Sequence, residues 1–144
     1  MSTDYRDAAE RHFEDAEFLR SDIASNREPN ADHLYGFSAE CSLKAVMTAL
    51  GMERTNAGAP RDSGLKVHMP EQWAAFQSFA SGRLAARYLD KLDQSNPFSD
   101  WKVDQRYVHR GQISATVMNT HREAAIHCRT CLHALILDGV EAPQ

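Results

Sequence analysis

The richest chemistry in this chain lies between Asp100 and Arg110, where Lys102, Arg106, Arg110 and the titratable His109 stand among Asp100, Trp101, Asp104 and Tyr107. Guanidinium forks match the spacing of phosphate oxygens, and imidazole exchanges protons near neutral pH. The segment therefore points to a phosphate-bearing ligand, with Arg106 and His109 as candidate catalytic residues and Lys102, Tyr107 and Arg110 as candidate phosphate-binding ones. Self-cleavage of RNA needs a base near the 2'-hydroxyl and a cation for the charge that grows on phosphorus, and both residue types are here. The same residues also fit a structural loop, in which Trp101 and Tyr107 plug the core while Asp104 pairs with Arg106.

Other patterns carry less specific chemistry. Glu40 and Lys44 are spaced so that they share one helical face with the glutamate N-terminal, the favourable order for a surface ion pair worth about 0.3–0.5 kcal/mol. His68 stands before Met69-Pro70, where it would cap a helix or bond a loop carbonyl. Arg83, Arg87 and Lys91 recur at helical spacing as a basic stripe, which Asp90 and Asp93 dilute. Cys128 and Cys131 form a C-x-x-C with His121, His127 and His133 close in sequence. On one continuous helix His121 would lie about 10 Å from Cys128 along the axis, so these residues do not converge as zinc ligands and read as core thiols. No glycine-rich phosphate loop, nucleophile elbow or H-E-x-x-H motif occurs, and neither a metal nor a cofactor is expected.

These residues need a scaffold, and its composition is that of one globular domain. The chain has 144 residues, 42% hydrophobic and 25% charged, enough to bury a core without a second domain. A net charge of -4 excludes a dedicated non-specific nucleic-acid binder, so any such contact must be local. The few cysteines, the lack of a long apolar run and an N-terminus without a basic-then-apolar leader pattern predict a cytoplasmic protein with no membrane contact.

Periodicity predicts helices over about 4–24, 31–50, 70–81, 83–94 and 113–137. Tyr5, Ala8, Ala9, His12, Phe13, Ala16, Leu19 and Ile23 form the first apolar stripe, and Tyr35, Ala39, Leu43, Val46 and Leu50 the second. Gly51 occupies a C-terminal cap position, residues 52–67 read as the longest loop, and Pro70 suits a helix start. No alternating strand pattern of useful length appears. The expected fold is all-α, an antiparallel up-and-down bundle of four to five helices.

The run Asp32 to Val46 with its Ala39-Glu40-Cys41-x-Leu43-Lys44-Ala45 centre, His68 ahead of Trp73 and Phe76, the Trp101-x-Val103-Asp104-Gln105-Arg106-Tyr107 segment and the alanine-rich last helix together resemble the HEPN superfamily. The resemblance covers about Tyr5 to Leu137. It implies a homodimeric helical bundle that is often a metal-independent ribonuclease. Other members are the toxin partner of a minimal nucleotidyltransferase antitoxin, or an inactive binder of RNA or a nucleotide. It gives supporting roles to Glu40, Lys44, His68 and Asp104. Active members place a longer interval between arginine and histidine than the two residues separating Arg106 from His109. The alternative is a non-catalytic dimeric interaction or regulatory module with a structural charged loop.

Overall fold

Helix α2, Glu28–Ala49, is the axis of the fold and is buried around much of its circumference rather than along one face. Tyr35, Ala39, Leu43 and Val46 are buried as their spacing predicts, but Asp32, Gly36, Ser38, Glu40, Ser42 and Lys44 are buried too. A helix enclosed on several sides loses the amphipathic signature of a surface helix, because its polar positions also meet protein. The computed structural model describes residues 1–21 and 26–140 of the chain.

Two long helices flank this axis. Helix α1, Tyr5–Ser21, sets Ala9, Phe13 and Ala16 against α2, and helix α5, Ala115–Leu137, buries Met118, His121, Ala124, Ala125, Cys128, Cys131, Leu132 and Leu135. Ile23 and the expected end of the first helix at residue 24 lie outside the described residues. The α1 and α2 helices run antiparallel, since Ser38 Oγ donates to the Ala9 carbonyl at 2.8 Å and Tyr35 Oη to Glu17 at 2.6 Å, with Lys44 over the Tyr5 ring. The α1 and α5 helices also run antiparallel. Arg20 bonds Asn119, Arg122 bonds Glu17 at 2.6 Å, and Glu10 receives both Arg129 at 2.6 Å and His133 at 2.5 Å. The Phe13 ring lies 3.9 Å beneath the Arg129 guanidinium in the same seam. Helices α2 and α5 therefore share a direction, which makes residues 50–114 a crossover rather than a simple up-and-down connection.

That crossover holds shorter elements. Helix α3, Glu71–Ala80, buries Trp73 and Phe76 close to where the proline and aromatic pattern predicts. The helix expected over 83–94 shrinks to α4, Ala86–Leu89, so Arg83, Arg87 and Lys91 do not lie on one continuous helical face. Arg83 instead covers the Phe79 ring at 4.3 Å, and Arg87 bonds Tyr88, whose hydroxyl donates to Asp138. Gly51 ends α2 in the left-handed conformation, φ 95°, with Met52 N–H returning to the Met47 carbonyl. The 52–67 loop closes on itself through Thr55 N–H to Ala59 O and an isolated Arg54–Pro60 bridge, and Thr3 ties its Ala57 carbonyl to the N-terminus.

Among the described residues there is no strand beyond that bridge, and the fold is an all-α helical bundle. No helix among them is long and apolar enough to cross a membrane.

Candidate functional site

The Asp100–Arg110 segment is held to α2 and α5 by polar contacts whose central residue, His121, is fully buried. Its Nδ1 donates to Asp32 at 2.5 Å and its Nε2 to Asp100 at 2.8 Å, so the ring carries a hydrogen on each nitrogen and is an imidazolium. Burial opposes that charge, but the hydrogen bonds and charges of Asp32 and Asp100 outweigh burial and raise the pKa above 6.5. The other oxygen of Asp32 accepts from Gln105 Nε2 at 2.6 Å, and Gln105 Oε1 accepts the Lys102 N–H. Phe98 stacks on the imidazolium with centroids 5.3 Å apart.

Trp101 completes the clamp. Its indole Nε1 donates to the Asp32 carbonyl, and its ring fills a slot opened by Gly36, where a Cβ would stand 2.1 Å from Trp101 Cε2. A glycine in mid-helix weakens the helix by about 0.5–1 kcal/mol relative to alanine, and here it admits the indole. The structural role expected for Trp101 is present. Tyr107 instead is 76% exposed, with Arg106 4.8 Å over its ring, and among the described residues no ion pair joins Asp104 to Arg106.

The clamp presents a groove of about 460 Å³ between the beginning of α2 and two 3-10 turns, Val103–Tyr107 and Arg110–Gln112. Its walls bring Arg106, His109 and Arg110 together with Asn26, Arg27 and Asn30. The groove lies at the N-terminus of α2, where the N-cap residue, Arg27, makes no side-chain capping bond, and the positive end of a 22-residue helix adds to the guanidinium charge. Lys102, Asp104 and Tyr107 do not line this groove. His109 Nδ1 accepts the Gly111 N–H at 3.0 Å, which leaves its Nε2 as the hydrogen-bearing nitrogen of the neutral ring.

Glu40, Lys44 and His68 form a separate cluster on α2. The side chains of Glu40 and Lys44 are 6% and 8% exposed, and their contact at 3.2 Å is a buried pair, not the surface pair that the spacing predicts. Closure by α1 and by the first turn of α3 explains the difference, because Tyr5 covers Lys44 and Gln72 Nε2 donates to the Glu40 carbonyl. His68 does not bond a loop carbonyl. Its Nδ1 donates to Glu40 Oε1 at 2.9 Å while its side chain stays 53% exposed.

Spacing alone does not mark His33 or His121 as site residues. A signal for His121 exists, since it falls on the Met118, Ala124, Cys128, Leu132 stripe of α5. Among the described residues no group of three or more His, Cys, Asp or Glu is placed to hold a metal ion. Cys128 and Cys131 are buried free thiols, and burial pushes Cys131 up to about 11. Comparison of the chain with protein-family models, with curated proteins and with solved structures finds no match.

Proposed function

We propose that the protein binds RNA or a nucleotide through its phosphates, in the groove between the start of α2 and the 106–110 turns. The observation that carries this reading is the convergence of Arg27, Arg106, Arg110 and His109 on one groove at a helix N-terminus, in a chain whose net charge is -4. Local positive charge on an acidic protein steers an anion to one place. Paired guanidinium groups suit phosphate oxygens better than ammonium groups do. The exposed Tyr107 ring beside Arg106 offers a base a stacking surface at the edge of the groove. The resemblance to HEPN proteins favours RNA among phosphate-bearing ligands and allows a metal-independent ribonuclease, acting as a homodimer and countered by an antitoxin or nucleotidyltransferase partner.

The test is binding of a fluorescent single-stranded RNA across a salt series. Removing one cation that meets a phosphate should reduce the log–log salt slope by about 0.7. Arg106→Ala with Arg110→Ala should therefore lower the slope by about 1.4 while helicity is unchanged. Binding by that variant at wild-type strength and slope would remove the groove from consideration.

A second reading, a non-catalytic dimeric interaction module, is favoured by one observation. Tyr107 and Val108 are adjacent and 76% and 44% exposed, an aromatic and apolar pair next to an arginine, and aromatic residues and arginine are enriched at protein interfaces. Light scattering of wild type and Tyr107→Ser tests this contact, because a dimer that dissociates in the variant places it there, and the RNA salt series separates the two readings, since a module without a phosphate site gives no salt-dependent RNA binding.

A further inference from the structure

The segment that walls the groove is a loop whose two ends both return to α5. At one end it runs into the helix itself, where Ser114 caps the first turn by accepting the Val117 N–H. At the other, Asp100 Oδ1 meets His121 Nε2, about 9 Å along α5 from Ala115 at 1.5 Å per residue. Between these ends lie both 3-10 turns and the groove cations Arg106 and Arg110. Trp101 and Gln105 hold the loop to Asp32 on α2, and the Val103 carbonyl holds it to His33. Asp100–His121 is the one side-chain bond that joins it to α5 among the described residues. Closing the neck of a loop restricts everything between its ends.

That neck bond needs the charged ring. A neutral imidazole donates from one nitrogen and accepts at the other, and His121 faces a carboxylate on each side, Asp32 at Nδ1 and Asp100 at Nε2. Burial, the largest influence on the ring, opposes its charge, and the two carboxylates together outweigh it. When the proton leaves, the remaining hydrogen stays with the carboxylate that is costlier to strand. Asp32 is fully buried and shut from water that could replace the bond, whereas the Asp100 side chain is 62% exposed. Nε2 then turns a lone pair toward Asp100, and Asp100 moves out to solvent. Other nearby charged and titratable groups are engaged elsewhere. On α1, Glu17 is taken by Arg122 and Arg20 by Asn119, and on α2 His33 is turned to Val103. Lys102, Asp104 and Arg106 of the loop make no bond to the ring, one face of which Phe98 covers.

We propose that His121 is a proton-operated latch on the phosphate groove: charged, it pins the Asp100 end of the loop to α5 and sets the groove cations, and neutral, it releases Asp100 and weakens phosphate binding. This regulation rests on the reading of the groove as an RNA phosphate site. His121 does not line the groove, so it acts on the ligand only through the loop. Trp101 and Gln105 keep the loop on α2 in either state, and the change is a loss of order over residues 103–112 without unfolding of the bundle. Apparent affinity scales with the fraction of molecules whose loop is in the binding arrangement. The charged ring is the low-pH form, so binding tightens as pH falls through the folded-state value of His121 and weakens as pH rises through it. The added proton also offsets the charge of Asp32 and Asp100, which favours an anion in the same direction.

Asp100→Asn is the deciding variant. Its amide oxygen accepts from the charged ring and its NH2 donates to the Nε2 lone pair of the neutral one, so the neck stays closed in both states. His109 carries an imidazole in the groove itself, and the binding series is therefore run in His109→Gln. Affinity for the same fluorescent single-stranded RNA is measured at constant ionic strength from about pH 6 to about pH 9. It should fall by about tenfold through the midpoint at which the His121 ring titrates by NMR, and by less than about twofold when Asp100→Asn is added. Backbone nitrogen relaxation of wild type without RNA gives the second readout, with order over 103–112 dropping through the same midpoint and holding steady in Asp100→Asn. Affinity that is flat with pH, or that falls as steeply with asparagine at position 100, overturns the latch and leaves the groove reading intact. Wild type that binds the RNA at no pH overturns the groove reading, and the latch then stands or falls with the relaxation, where order unchanged through the His121 midpoint overturns it.

Discussion

Asp32→Asn isolates the clamp, because the substitution keeps the shape of the side chain and changes only its charge and hydrogen-bonding pattern. The two carboxylate oxygens of Asp32 accept from His121 Nδ1 at 2.5 Å and from Gln105 Nε2 at 2.6 Å. Asparagine supplies one oxygen and one NH2, so one of these two donors must face another donor. An unmatched buried donor costs about 1–3 kcal/mol, and removing the charge that faces a buried cation brings the loss toward the roughly 3–5 kcal/mol of a broken buried ion pair. Against a typical domain stability of about 5–15 kcal/mol this is a large fraction. The melting temperature should fall by about 10 °C or more. Urea unfolding followed by circular dichroism gives the difference directly. The sign of the pH dependence follows from His121. Its folded-state pKa is raised above 6.5, so its contribution is fully present below that value and fades as pH rises through the folded value. Wild-type stability should decline over that interval, and the decline should be smaller in Asp32→Asn. A loss under about 0.5 kcal/mol, within the range of an ordinary surface change, would refute the reasoning.

Two further substitutions probe how α2 meets its surroundings. Gly36→Ala places a methyl 2.1 Å from a fully buried indole carbon and must displace Trp101, at a cost of about 1–3 kcal/mol or more. A lower urea midpoint with altered near-ultraviolet circular dichroism is expected, and an unchanged midpoint would mean that the indole does not occupy the slot. Glu40→Ala leaves the Lys44 ammonium buried without its carboxylate and should cost about 3–5 kcal/mol, roughly ten times the value of a surface pair. A double-mutant cycle with Lys44→Met reads the coupling, and a coupling near zero would return the pair to the solvated face that the spacing predicts.

The long helices were legible because their apolar residues repeat at helical intervals. Phe13, Tyr35, Leu43, Trp73 and Leu132 are core residues as that repeat predicts. The 83–94 region was not, because its repeat of Leu84, Tyr88 and Leu92 is met by one short turn of helix flanked by loop turns, an arrangement that still buries Leu84 and Tyr88. The direction of α5 was hidden as well. Periodicity describes a helix without its neighbours, and the pairs that set this direction, Glu17–Arg122 and Glu10–Arg129, are separated by 105 and 119 residues. The charged segment was located by its composition, but spacing could not show that His109 is turned to Gly111 or that Asp32 reaches across to His121.

Asp32 and His33 are consecutive on α2, and the 101–105 segment connects them a second time. Asp32 holds that segment through Gln105 and Trp101, and the Val103 carbonyl between those two residues receives the His33 Nε2 hydrogen. The position of Val103 is thus fixed by the clamp, and the tautomer of His33 by the position of Val103. Weakening the clamp would free the His33 ring to exchange its hydrogen between nitrogens, and Arg106, one residue after Gln105, would shift with the same backbone. The burial of an imidazolium between two carboxylates is a costly way to join α2 to α5 when apolar contacts would serve. Its geometric return is a fixed backbone beneath the groove, with Val103, Gln105 and Arg106 held on one tied segment.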